Sequence, residues 1–235
     1  MNRFIFLIRH DLNTSFRDPL FKGLMFFPFV CFILVRWVFP VLFESFPVLN
    51  AYREVFVMWA CMQSATMFGF IYGFLMLEEK EENLLRALRI LPVPTGLLIA
   101  VRQTIGILIS SAVNFCILEW GGILPVNPSV YLLIAFQMSL LSPLIMLLLT
   151  VLAKTRMEGL AQMKIFNLLF IAPGIVFFLP QKALHAFALI PTYWSFRAID
   201  RSLISGWNPW LWGGFVFYFG LLFVLNRVFS KRVFV

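Results

Sequence analysis

Long apolar runs alternate with short polar segments along this chain. Six runs stand out, at 24–43, 55–77, 101–120, 130–153, 165–180 and 209–226. Most are close to the ~20 residues that a helix needs to cross a hydrocarbon layer about 30 Å thick. They are also about twice the length of a membrane β-strand and lack its alternation, so the pattern predicts helices. The fifth run is short and interrupted by Ala172-Pro173-Gly174, and Pro28 and Pro40 fall inside the first. Such interruptions survive in a membrane where neighbouring helices or a cavity re-satisfy the freed backbone groups. The expected fold class is therefore an all-α polytopic membrane protein, with six transmembrane helices in a single transmembrane domain over 1–235.

Two segments outside the runs carry their own pattern. In the first 23 residues, Phe4, Ile5, Ile8, Leu12 and Phe16 fall on one side of a helix, with Arg9, His10, Asn13 and Arg17 off it. That is the arrangement of a helix lying in the membrane interface, as a plain anchor or as an elbow linking the first span to a moving partner. No small-residue cleavage site follows "FIFLI", so no signal peptide is expected. The segment 181–208 is long for a turn, and its apolar stretch Ala183 to Ile190 is too short to span. With Trp194, Trp207, Trp210 and Trp212 suited to headgroup level, it is expected to form short re-entrant or interfacial helices on the extracytoplasmic side.

Composition agrees with the runs. The chain is 61% hydrophobic and 13% charged, with 29 phenylalanines and a mean hydropathy of +0.91, more apolar surface than a soluble domain of 235 residues can hide. The net charge of +8 acts as a topology signal. With the N-terminus inside, Arg3, Arg9, Arg17, Lys22, Lys80, Arg86, Arg89, Arg102, Lys154, Arg156, Lys164, Arg227, Lys231 and Arg232 face one side, against Arg53, Lys182, Arg197 and Arg201 on the other. The positive-inside rule then puts both termini in the cytoplasm of a plasma (inner) membrane protein. No basic face with interleaved aromatics is present, which argues against nucleic acid as a partner. Cys31, Cys61 and Cys116 lie within apolar runs at no metal or disulfide spacing.

The densest charge lies between the second and third runs. "LEEKEENLLRALRILPVPTGLL" brings together Glu78, Glu79, Glu81 and Glu82, then Arg86 and Arg89. In a cytoplasmic loop over 78–98 the glutamates are expected to open a helix and the arginines to close it, matching the helix dipole, with Glu82 and Arg86 as an i to i+4 pair. Leu84, Leu85, Leu88 and Leu91 form one apolar stripe, and "PVPTG" stops the helix. The stripe fits a groove on another protein; folding back onto the membrane surface or the chain's own bundle is the alternative.

Catalysis by this chain is not expected. It contains no "GxxxxGK[ST]" loop to cradle phosphates, no "HExxH" and no "GxSxG". His10 and His185 are its only histidines, both outside the runs, and no metal site or resident cofactor is expected. Two ionisable residues sit within or at the edge of the runs. Arg36 lies about two-thirds of the way out along the first, and Glu119 closes the outer end of the third. Either they are a snorkelled arginine and an interfacial glutamate, or they line an outward-opening translocation path, with Glu44 and Glu54 as competing partners for Arg36.

The interfacial helix, six runs, acidic "EEKEENLLRALRILPVPTG", the broken "RMEGLAQMKIFNLLFIAPGIVFFLP" and "PTYWSFRAI" together resemble the ABC-2-type permeases of ATP-binding-cassette exporters, in their drug- and antibiotic-export branch. Asn83 stands where members of that family often carry glycine. The resemblance covers essentially the whole chain. It implies a permease subunit that exports an amphipathic or hydrophobic small molecule, paired with a second permease copy or homologue. A separate cytosolic ABC ATPase subunit would bind ATP and Mg, and the 78–98 helix would couple to it through Glu78, Glu79, Glu81, Glu82, Leu84, Leu85, Leu88, Arg86 and Arg89. A haem-exporter-type permease and an ATP-independent transporter or scaffold are the competing expectations.

Overall fold

The computed structural model describes residues 18–82, 95–178, 186–205 and 208–233. Its helices are α1 (Pro19–Ile33), α2 (Phe39–Ser45), α3 (Arg53–Glu81), α4 (Thr95–Gly121), α5 (Pro128–Ser139), α6 (Leu141–Leu152), α7 (Arg156–Ile171), α8 (Pro191–Ser205) and α9 (Pro209–Val233). A π-helical turn, Leu34–Val38, joins α1 to α2, and 3-10 segments follow α2 (Pro47–Tyr52) and α7 (Ala172–Phe177). The described residues contain no strand. The predicted interfacial helix before residue 18 lies outside them.

The chain is an all-α polytopic membrane protein. Among the described residues, five helices are long and apolar enough to cross a membrane: Pro19–Ser45, Pro47–Glu81, Gly96–Gly121, Pro128–Leu152 and Pro209–Lys231. The predicted fifth run is not among them. Its helix starts at Arg156, not at 165, because the Thr155 hydroxyl accepts from the Glu158 N–H (3.2 Å) and caps a new first turn. Arg156, Glu158, Gln162, Lys164 and Asn167 then make it more polar than its neighbours. Pro173, which has no N–H, helps end it, and 3-10 geometry takes over at Ala172.

Two crossings form the interior. The apolar windows of α3 and of α5–α6 are each 78% buried inside the molecule, against 28%, 33% and 22% for the first, α4 and α9 crossings, so the last three wrap the first two and give their outer faces to lipid. Phe26, Phe29, Ile33, Trp37 and Val41 are part of that outer face.

Close approach of α3 to α6 depends on Gly69 and Gly73. A Cβ at Gly69 would lie 2.7 Å from the Ser142 carbonyl oxygen and 2.8 Å from Ile145 Cβ; one at Gly73 would lie 2.8 Å from Leu149 Cδ2. Small residues four apart let backbones meet in lipid, where packing stands in for the hydrophobic drive.

The π turn precedes Pro40. In α geometry the proline ring would press on the carbonyl of residue 36, and widening the turn relieves that clash. Phe39 and Phe43 of α2 then pack edge-on against Phe56 of α3, with centroids 5.2 and 5.6 Å apart. Within the 181–208 segment, α8 is packed into the bundle. Thr192, Tyr193, Ser195, Phe196, Arg197, Ala198 and Ile199 of α8 are all buried, and the Thr192 hydroxyl donates to the Phe170 carbonyl at 2.6 Å.

Candidate functional site

Charge gathers at one end of the bundle, where α3 ends and α1, α4 and α7 begin. The glutamates do not open a helix there. No breaker separates Leu77 from Glu81, so α3 runs on through the cluster, and Glu78, Glu79 and Glu81 occupy its last turn with Glu82 as C-cap. This corrects the expectation from sequence: a helix C-terminus disfavours anions, so these carboxylates need cationic partners.

The fold supplies them from distant positions. Arg102, in α4, is 1% exposed and holds Glu79 in a two-pronged pair, Nη1 to Oε2 at 2.7 Å and Nη2 to Oε1 at 2.6 Å. Glu79 lies at the end of α3 and Arg102 near the start of α4, so the pair clasps the two legs between which residues 83–94 run. Arg156, at the first position of α7, pairs with Asp18 and lies 3.9 Å from Glu78, while its guanidinium sits over the Phe21 ring at 5.2 Å. The Arg156 backbone N–H donates to Glu81 at 2.7 Å. Lys80 donates to the Thr150 and Ala153 carbonyls, both at 2.8 Å, which stabilises the last orphan carbonyls of α6. Asp18 caps α1 by accepting from the Leu20 N–H at 2.8 Å. Burial works to raise its pKa, but the Arg156 hydrogen bond and the Leu20 N–H outweigh that and hold it below its ordinary value.

Four of the predicted coupling residues, Glu78, Glu79, Glu81 and Glu82, thus lie at the root of the loop; three of them tie it to α4 and α7, and Arg156 carries the tie on to the Asp18 cap of α1. Leu84, Leu85, Arg86, Leu88 and Arg89 lie outside the described residues. Arg102, Arg156 and Asp18 join the site without having been expected there. One signal in the sequence points to Arg102: it lies early in the helix that follows the acidic end of α3, where an arginine can close the hairpin.

Among the described residues no ion pair joins Arg36 to Glu119, Glu44 or Glu54. Arg36 is exposed on the π turn, and its Nη1 lies 3.6 Å from where a Cβ of Gly122 would stand. Gly122 has φ +67°, a left-handed conformation that glycine adopts without strain.

Inside the bundle lies a set of polar groups that the apolar runs conceal. Asn114 of α4 is fully buried with neither amide atom hydrogen-bonded, and Ser64 Oγ, Gln63 Oε1 and Gln137 Oε1 are likewise buried without partners. The other end of the Gln137 amide donates to the Leu211 carbonyl at 2.7 Å. Polar atoms left unpaired in a membrane interior cost stability, which makes them candidates for a pathway.

Comparison with known proteins gives the chain its relatives. Residues 11–226 match the family described as fluoroquinolones export permease protein Rv2686c-like. Two proteins of Mycobacterium tuberculosis, each named fluoroquinolones export permease protein, are similar over nearly their whole length. They are MT2760 of strain CDC 1551 / Oshkosh and Rv2686c of strain ATCC 25618 / H37Rv. Each is 25% identical over 233 residues, covering 95% of this chain and 92% of the relative. No solved structure matches. With the match running through four membrane-crossing helices, most of the fifth and both legs of the clasp, the chain belongs to the Rv2686c-like family of export permeases.

Proposed function

We propose that this chain is the membrane-spanning permease subunit of an ABC exporter and that it moves fluoroquinolone-like amphipathic drugs out of the cell. The match to fluoroquinolones export permeases over residues 11–226 carries that reading. The chain itself hydrolyses nothing; a separate cytosolic ATPase subunit binds ATP and Mg and supplies the work. Both termini and the charged end face the cytoplasm of the plasma membrane, in keeping with the positive-inside rule. The segment from Arg156 to Phe177 then completes a sixth crossing. Its 16 α-helical and six 3-10 residues span about 36 Å at the standard rises.

The coupling residues act as a handle on a stiff root. The leucine stripe Leu84, Leu85 and Leu88 seats in a groove of the ATPase, flanked by Arg86, Arg89 and Glu82. Displacement of that loop passes to α3 and α4 together, because the Glu79–Arg102 clasp holds its two legs, and on to α1 and α7 through Arg156. Two permease chains, identical or homologous, face each other across the pathway, with Arg36 and Glu119 toward its outer part.

The test is drug accumulation in cells lacking their own efflux systems. Expression of this chain with an ABC ATPase encoded beside it should lower intracellular fluoroquinolone, and neither subunit alone should do so. Unchanged accumulation with both subunits present in the membrane contradicts the proposal.

A further inference from the structure

At the end of the bundle opposite the clasp lies a cleft of about 370 Å³, between α2, the 3-10 segment Pro47–Tyr52, the start of α3 and the turn after α4. Phe43, Glu44, Asn50, Arg53, Gly122 and Ile123 are among its lining residues. One wall is a held cation. Arg53 donates to Asn50 Oδ1 from Nε at 2.8 Å and from Nη2 at 2.5 Å, and its guanidinium lies over the Phe43 ring at 5.6 Å. Asn50 is itself fixed, since its Nδ2 donates to the Phe43 carbonyl at 3.3 Å.

Glu44 lines the same cleft, yet among the described residues it pairs with neither Arg53 nor any other base. Opposite charges that share a cleft and stay apart leave room for a molecule that carries both signs. Arg36 adds a second cation close by, its Nη1 3.6 Å from where a Cβ of the lining residue Gly122 would stand. Phe43 and Ile123 provide apolar surface for a flat body between the charged ends.

We propose that this cleft binds zwitterionic amphiphiles, the anionic group on Arg53 with Arg36 beside it and the ammonium group on Glu44. Two sources offer that chemistry: a cargo with a carboxylate and an amine, or a phosphatidylethanolamine headgroup. The cargo arm rests on the export reading above; the binding chemistry does not.

The test uses the purified full chain in neutral detergent, with binding followed by the fluorescence anisotropy of norfloxacin, a zwitterion near pH 7. Its methyl ester is a cation and its N-acetyl derivative an anion. The zwitterion should bind about fivefold more tightly than either derivative, since each derivative forgoes one solvent-exposed ion pair. Glu44→Gln should erase the preference over the anion only, and Arg53→Gln the preference over the cation only. This reciprocal pattern within each variant separates impaired recognition from impaired folding. Displacement by phosphatidylethanolamine but not phosphatidylglycerol would show that headgroups share the site; no displacement would restrict it to cargo. Equal binding of all three compounds, or selectivity unchanged in both variants, overturns the proposal. Intact selectivity in a protein that exports no drug would leave the cleft standing and sink the export reading, and the converse result would do the reverse.

Discussion

A charge at the bilayer edge must be paired or wet, and Arg102, 1% exposed, is paired with Glu79. Removing the carboxylate takes a two-pronged partner from a buried cation. Glu79→Ala should therefore cost about 1–3 kcal/mol, whereas Glu79→Leu with Arg102→Leu should recover part of that stability while slackening the clasp. Thermal unfolding in detergent measures both, and equal losses in the single and double variants would contradict the buried-pair account. Asp18 gives a pH signature. Its folded pKa lies below the ordinary 3.8, so its contribution is present in full above that value and is lost as pH falls through the folded pKa. Asp18→Asn should lower the midpoint by a constant amount between pH 7 and pH 5, and the gap to the native protein should close below about pH 4. A gap that widens on acidification would rule out this assignment. Asn114, buried with its amide unpaired, should behave in the opposite sense. Asn114→Leu should stabilise the protein by about 1 kcal/mol and depress drug export; full export by that variant would remove Asn114 from the pathway.

Among the helices, the α3–α6 seam carries a graded prediction. The nearest atom to a Cβ at Gly69 is the Ser142 backbone oxygen, which cannot move aside, while at Gly73 it is the mobile tip of Leu149. Gly69→Ala should cost about 2 kcal/mol and Gly73→Ala clearly less. Gly220→Ala, with nothing within 4 Å, should be neutral. A reversed order in thermal unfolding would refute the described seam. The crossings themselves are legible in the sequence because each is a long apolar run, and the "GFIYG" spacing on α3 is a readable signal of close packing. The direction in which the acidic cluster belongs to its helix is not legible. Local dipole logic favours glutamates at a helix start, and only partners far along the chain, Arg102 and Arg156, make a helix end tolerable for them. The predicted fifth run is blurred for a related reason: α7 keeps polar residues along its length, so the apolar run marks only its second half. Glu119 is expected nearer the surface than Arg36, within reach only of an outstretched arginine; the Arg36 guanidinium lies on the π turn beside Gly122 and forms no ion pair with Glu119.

At the scale of the whole molecule, the interior of one chain is a tightly packed pair of crossings, with little room for a drug-sized cargo. The proposed pathway takes its width from a second permease copy, so native mass spectrometry should find two permease chains with two ATPases. Of the small residues suited to a helix seam, Gly106, Gly213 and Gly214 are used within the chain, while Gly220 is open to the surroundings. The most direct test of the central claim is ATP-driven norfloxacin uptake into inside-out vesicles containing the permease and its ATPase. Uptake should require both proteins, and Leu85→Asp with Leu88→Asp should abolish it while ATP is still hydrolysed and the permease still inserts. Uptake by the permease alone, driven by a proton gradient and indifferent to ATP and to those two substitutions, would contradict the ABC-exporter account.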